Sequence, residues 1–167
     1  MAKYLIPGIL VLLLGSLACG LVQTDKRSTA PEPGADAMWE WVTEKDPYQG
    51  WGYWPGHKGM YPGQSPHGKY LELYANSIAL EAARKGKTEM PPGSILMKAN
   101  YAKDKETLVA LTPMYKVEGY NPEAGNWYWA KYKPNGKAVA SGKVQSCINC
   151  HRSQKSNDWI FTPKHEE

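Results

Sequence analysis

The sequence predicts an α+β fold, a single domain built on one antiparallel β-sheet with a few short helices. The clearest strand covers residues 126–133, where side chains alternate between two faces as they do along a β-strand. One face carries Trp127, Trp129 and Lys131, and the other carries Tyr128, Ala130 and Tyr132. Pro134-Asn135-Gly136-Lys137 follows and predicts a hairpin, because Asn-Gly supplies the positive φ angles of a type I′ turn.

The first elements of this domain are read from periodicity and from the residues that break it. Residues 36–43 predict a short helix. Residues 46–68 are rich in glycine, proline and aromatic residues, which predicts an ordered loop region. Residues 69–74 predict the first strand.

A capped helix is predicted next. Asn76 is a favourable N-cap for a helix over residues 77–85, and Gly86 is suited to the position after its last turn. Residues 91–94 read as a turn. The remaining predicted strands cover residues 95–101, 107–120 and 137–141.

The N-terminus has the pattern of an export signal. Residues 1–4 form a short basic segment, and the apolar run of residues 5–17 is too short and too broken for a membrane span. Residues 16–20 resemble a bacterial lipoprotein cleavage box, in which Cys19 becomes the lipidated residue. Ordinary cleavage after Ala18, or an uncleaved anchor, is the alternative. We expect a periplasmic lipoprotein. A diacylated cysteine would give it stable membrane anchoring.

This pattern divides the chain into three parts. Residues 1–19 are a signal and lipoprotein segment, residues 20–36 a polar tether that contains proline and glycine, and residues 37–167 the folded domain. The net charge of +4 is a mild excess of basic residues, and the lysines are spread along the chain between acidic residues. This charge pattern is typical of a solvated protein surface, so we expect no nucleic-acid partner.

The most specific motif is Cys147-Ile148-Asn149-Cys150-His151, which has the C-x-x-C-H spacing. Two thiols three positions apart can each add to one vinyl group of a haem, and the histidine after the second thiol then lies beneath the iron. The motif therefore predicts one covalent haem c, held by Cys147 and Cys150, with His151 as the axial ligand. Seven Trp and eleven Tyr supply the apolar area that would enclose a flat macrocycle.

Other chemistries of paired cysteines fit this sequence less well. A tetrahedral zinc site usually needs four Cys or His ligands, and the only other cysteine is Cys19. A thioredoxin-like pair belongs in a βαβ pattern, which does not surround residues 147–151. A disulfide between Cys147 and Cys150 would close a tight, strained loop.

Several motifs follow one another in a specific order: residues 65–68, 74–76, 92–98, 114–116, 119–123, 125–130 and 147–151. In this order and spacing they resemble the cytochrome P460 family, over nearly the whole chain from residue 37 onward. The resemblance implies an antiparallel β-rich haem domain over residues 37–167, often a homodimer, with one five-coordinate c-type haem. It also implies a small diatomic or hydroxylamine-type ligand at the open iron face, and a redox partner such as another cytochrome.

The resemblance also singles out Lys98. In some family members a lysine forms an extra covalent bond to the haem, and Lys98 falls on the matching position of residues 93–98. The alternative is a strand lysine whose amine extends to solvent. Hydroxylamine-oxidising members use a distal carboxylate as proton acceptor. The matching strand, residues 108–115, contains none, which leaves Glu106 and Glu118 as the nearest acids.

Three functions therefore remain open. The first is an oxidoreductase acting on hydroxylamine or nitric oxide. The second is a non-catalytic protein similar to cytochrome c′-β that binds nitric oxide or carbon monoxide. The third is a periplasmic electron carrier, which would need a sixth iron ligand from among Met60, Met90, Met97, Met114, His57 and His67.

Overall fold

The predicted antiparallel sheet is present in the computed structural model, which describes residues 30–161. Within these residues seven strands form one sheet in the order β1-β3-β4-β5-β6-β7, with β2 also paired to β3. Every pairing is antiparallel. The strands are β1 (Gly52–Tyr53), β2 (Tyr61–Pro62), β3 (Tyr70–Ala75), β4 (Ile95–Tyr101), β5 (Leu108–Lys116), β6 (Trp127–Tyr132) and β7 (Ala138–Gly142).

Three α-helices accompany the sheet in the described part of the chain: α1 (Ala35–Glu40), α2 (Ser77–Arg84) and α3 (Gln145–His151). A π-helical turn, Trp41–Lys45, continues α1. The predicted caps of α2 are confirmed, since the Asn76 side chain accepts a hydrogen bond from the Ala79 N–H and Gly86 has a φ of +65°. Short 3₁₀ turns lie at Tyr48–Gly50, Pro122–Ala124 and Arg152–Asn157.

Two details of the sequence prediction are wrong. The strand predicted over residues 107–120 ends at Lys116, because a turn follows in which the Tyr120 N–H donates to the Val117 carbonyl. The hairpin after β6 is not of type I′, since only Gly136 in its loop has a positive φ. Pro134 fixes a negative φ at the first central position of the turn, so the left-handed residue comes after the turn, as in a loop with a bulge.

The two faces of the sheet are covered by different elements. We call the side that carries Leu96, Met114 and Trp129 the α3 face, because α2, α3 and the segment after α3 pack against it. Met38 of α1 and Val42 of the π-helical turn pack on the opposite face. The alternation predicted for residues 126–133 is confirmed: Trp127 and Trp129 lie on the α3 face, whereas Tyr128, Ala130 and Tyr132 lie on the other.

Some predictions concern residues outside the described range. Cys19 and the signal segment lie before residue 30, and residues 162–167 follow its end. Among residues 30–161, no helix has both the length and the apolar character needed to cross a bilayer.

Asn76 joins α2 to the sheet, so its removal tests the fold. It is 6% exposed, its Oδ1 accepts from the Ala79 and Ile95 N–H groups, and its Nδ2 donates to the Gly93 carbonyl. We expect Asn76→Ala to lower the free energy of unfolding by about 3 kcal/mol, because it removes a helix cap and leaves buried backbone groups unpaired. Urea unfolding measures this change.

The matched control is Asn135→Ala in the β6–β7 turn. Asn135 is exposed and accepts one hydrogen bond of 3.2 Å from the Lys137 N–H. We expect a loss below about 1 kcal/mol. Equal losses in the two variants would contradict the role given to Asn76.

Candidate functional site

Helix α3 places the three residues of the C-x-x-C-H motif on one side of the helix. Cys147, Cys150 and His151 are spaced by three and four positions, which brings them to the same helix surface. Ile148 points to the hydrophobic core of the α3 face and is 6% exposed. Its burial fixes the rotation of the helix, so that the motif side chains face a pair of cavities.

Two adjoining cavities lie beside α3. The inner cavity, of about 240 Å³, is bounded by the sheet, Cys147 and the helix. The loop cavity, of about 320 Å³, is bounded by the segment around His57 and residues 61–67. The two cavities share six of their lining residues: Pro66, His67, Lys98, Cys150, His151 and Phe161. The motif therefore lies where the two cavities meet.

His151 is held in one orientation. Its ring is 5% exposed, and Nδ1 lies 2.7 Å from the carbonyl oxygen of Trp159, to which it donates. The rings of Trp129 and Phe161 pack edge-on against it, with centroids at 4.6 and 5.0 Å. Burial lowers the pKa of His151 to about 4, the Trp159 carbonyl opposes this, and the charge of Lys98 adds to it. The imidazole is thus neutral at pH 7, with Nε2 available to a metal.

The two thiols are free. Cys147 is half-buried and Cys150 is exposed. Burial is the main cause that raises the pKa of the Cys147 thiol. Both thiols line the inner cavity, so each could bond to one edge of a bound macrocycle.

Lys98 lies on β4 and projects from the α3 face into both cavities rather than to the outer surface. Its Nζ is 5.9 Å from the centroid of the Phe161 ring. Within residues 30–161, no carboxylate forms a salt bridge with it. Burial lowers its pKa to about 8, and the nearby Cys150 opposes this in part. An unpaired amine with a low pKa is readily deprotonated and then nucleophilic.

His67 has a place in the site that the sequence left undecided. The sequence offered it as one of six candidates for a sixth iron ligand, and the structure shows that it also contacts the sheet. Its Nδ1 lies 3.1 Å from Asn100 Oδ1, which also accepts the Gly68 N–H. Its ring centroid is 6.3 Å from that of His151. Burial, followed by the charge of Lys98, lowers the pKa of His67 to about 4.

The other candidate ligands divide into two groups. Met114 lines the inner cavity, and His57 lines the loop cavity with its ring 4.2 Å from that of Tyr61. Met97 packs on the opposite face of the sheet, and neither Met60 nor Met90 lines the described walls. None of the described residues lining the two cavities is acidic, so Glu106 and Glu118 do not enter either one.

Sequence reasoning missed the segment that follows α3. Trp159 supplies the acceptor for His151, and Phe161 packs a ring against it, but no sequence pattern distinguishes these two residues from ordinary core residues. Gly125 is the one local sign: a Cβ there would lie 2.6 Å from the Trp159 ring. It also has a φ of +65°, so glycine is required on two counts.

A comparison with protein families gives one match. The family model described as Cytochrome P460 matches residues 48–162. The matched region includes Lys98, the three motif residues and the other two histidines that line the cavities, His57 and His67. A comparison with individually curated proteins gives no match.

The lowered pKa of the unpaired Lys98 amine predicts how the free energy of unfolding of the haem-free protein depends on pH. The folded pKa is about 8, below the ordinary value of roughly 10.4, so the unfolded chain binds more protons between these pH values. The burial of the charged Lys98 amine destabilises the fold. This destabilisation is fully present below pH 8 and fades as the pH rises toward 10. We expect Lys98→Met to raise the free energy of unfolding by about 2 kcal/mol at pH 7, and by less at pH 9.5.

Urea unfolding at the two pH values measures both effects. Lys87→Met, at an exposed position, is the control and should change the free energy of unfolding by less than about 0.5 kcal/mol. A Lys98→Met variant no more stable than the wild type at pH 7 would show that the amine is not desolvated.

Proposed function

This chain belongs to the cytochrome P460 family, and on that premise we propose that it is an exported haem c protein with one iron face open to a small nitrogen-oxide ligand. Family membership implies the haem itself. The observation that supports the open iron face is the position of His151. Its ring is neutral, is fixed through Nδ1 and lies at the junction of two cavities whose described walls contain no acidic residue.

The residues of the site fit a haem c. Cys147 and Cys150 are free thiols that can each add their S–H across one vinyl group, which forms two thioether bonds. His151 Nε2 would ligate the iron from the α3 side. When bound, the haem supplies an iron centre that coordinates small ligands and exchanges electrons. Leu73, Leu96 and Met114 give the inner cavity an apolar wall suited to a macrocycle.

The cavity walls favour nitric oxide binding over turnover of hydroxylamine. Oxidation of hydroxylamine releases protons, and a base must lie within hydrogen-bond reach to accept them. No carboxylate lines the described walls. His67 is a poor acceptor near neutral pH, because burial holds its pKa at about 4. We therefore place the chain nearer to a gas-binding protein than to a vigorous oxidoreductase.

A second candidate function, electron transfer, is favoured by the position of His67. Its Nδ1 is fixed by Asn100, so Nε2 is the nitrogen available to the cavity. Two imidazole nitrogens that lie on opposite sides of a shared metal, each about 2 Å from it, put their ring centroids roughly 6 Å apart. The 6.3 Å between the rings of His67 and His151 is compatible with this arrangement. A haem with two histidine ligands would carry electrons without binding a substrate.

The cellular setting is also a proposal. The N-terminal pattern supports export and lipidation at Cys19, which would anchor the domain to a membrane in the periplasm. A redox partner cytochrome and a homodimer are what family resemblance implies.

Covalent attachment is tested on the protein produced with cytochrome c maturation. Intact mass after acid–acetone extraction should show the polypeptide plus one haem, because thioether bonds survive the extraction. Cys147→Ala together with Cys150→Ala should release the pigment, whereas Ser146→Ala beside them should not. Colour that is extracted readily from the wild-type protein would contradict the proposal.

The optical and electron paramagnetic resonance spectra decide between the two functions. For the open face, we expect a high-spin resting iron that binds nitric oxide and is unchanged in Met114→Leu and His67→Ala. Low-spin wild-type iron that becomes high-spin in His67→Ala would instead establish the electron carrier. Met97→Leu, on the other face of the sheet, is the control for loss of packing.

Lys98 is tested for a bond to the haem by peptide mapping. A cross-link would join the tryptic peptide that contains residues 147–151 to the one that contains Lys98 through the macrocycle. Lys98→Ala should then shift the Soret band to shorter wavelength and abolish any hydroxylamine oxidation. If the joined peptide is absent and hydroxylamine is not turned over, the oxidoreductase function is excluded, and the spectra described above decide between gas binding and electron transfer.

A further inference from the structure

The turn that follows α3 has an unusual backbone. Asp158 and Trp159 are consecutive residues with φ angles of +49° and +65°. Asp tolerates this left-handed conformation, but a bulky residue such as Trp rarely adopts it. The conformation directs the Trp159 carbonyl toward His151 Nδ1, at 2.7 Å. Such a backbone persists only where surrounding contacts hold it.

The contacts that hold this turn converge on Asp158. Its Oδ1 lies 2.6 Å from Lys116 Nζ, and its Oδ2 accepts the Met90 N–H at 2.8 Å. The indole N–H of Trp127 donates to the Asp158 carbonyl at 2.9 Å. Lys116 is 2% exposed and Asp158 8%, so this is a buried ion pair. Three separate segments of the chain therefore hold one residue of the turn.

Stability alone does not explain a buried ion pair. Removing two charges from water offsets most of their attraction, and an apolar pair of similar size is often as stable. This pair lies one residue from the carbonyl that orients His151. A hydrogen bond from the second nitrogen of a ligating imidazole makes the ring a stronger electron donor to the metal. Stronger donation favours the oxidised iron.

We propose that the buried Lys116–Asp158 pair is a positioning device which holds the Trp159 carbonyl on His151 and so lowers the reduction potential of the haem. The proposal rests on the proposed function, because it requires His151 to ligate the iron. Neither Lys116 nor Asp158 lines the cavities, so both act through the turn and not by contact with the ligand.

The decisive variant is Lys116→Met combined with Asp158→Asn in the haem-loaded protein, because Asn also tolerates the left-handed backbone at this position. It removes one positive and one negative charge, so the net charge of the protein is unchanged and only the dipole of the pair is lost together with its contacts. We expect a weaker Nδ1 hydrogen bond, which favours the reduced iron. At a fixed electrode potential, the ratio of reduced to oxidised haem should rise about tenfold, which is 59 mV for one electron.

A second readout separates positioning from general electrostatics. In the ferrous protein, resonance Raman spectroscopy should show a lower iron–histidine stretching frequency in the double variant. Glu89→Gln is the matched control. It removes the exposed carboxylate 3.5 Å from Lys116 Nζ but leaves Asp158 in place, so neither the potential nor the frequency should change.

Each outcome decides the proposal. A folded double variant with wild-type potential and frequency would show that the pair is merely structural. A changed potential with an unchanged frequency would also overturn it, since the effect would not pass through His151. If the double variant does not fold, the single variant Asp158→Asn replaces it and is judged on the frequency alone, because its charge change acts on the potential directly.

One further variant keeps this proposal distinct from the proposed function. His151→Gly should abolish the native spectrum and recover it in part with added imidazole. If it leaves the spectrum unchanged, the assignment of the axial ligand is wrong. If it abolishes the spectrum and the double variant has no effect on the frequency, only the positioning role is wrong.

Discussion

The hydrogen bond between His151 Nδ1 and the Trp159 carbonyl is the interaction on which the site depends. It fixes the ring, selects the tautomer and leaves Nε2 free at the junction of the two cavities. Helix α3 alone would not achieve this, because a side chain in its last turn can rotate about its own bonds. The carbonyl comes from a separate segment, which the turn at residues 158–159 brings back over the helix.

Two lysines on the same face of the sheet show opposite solutions to the burial of charge. Lys116 is paired with Asp158 and lies over the ring of Trp127, which compensates for the loss of water. Lys98 has no carboxylate partner among residues 30–161, and burial lowers its pKa to about 8. The paired lysine is suited to holding structure. The unpaired one is suited to chemistry, since a neutral amine is available near physiological pH.

The aromatic residues are divided between support and site. Trp127 donates a hydrogen bond to the Asp158 carbonyl, and Trp129, two positions along β6, packs against the ring of His151. Tyr128 between them lies on the opposite face of the sheet. The alternation of one strand thus supplies the α3 face with two large rings of different function, one holding the turn and one contacting the candidate ligand.

The sequence by itself determined the features that depend on neighbouring residues. These are the alternation along β6, the Asn76 cap of α2 and the spacing that puts Cys147, Cys150 and His151 on one helix side. The tertiary structure alone decided which groups meet across long separations. His67 faces His151, Lys98 projects into both cavities, and Asp158 holds the turn at Trp159. A bulky residue at a φ of +65° is locally unfavourable, so only distant contacts could reveal it.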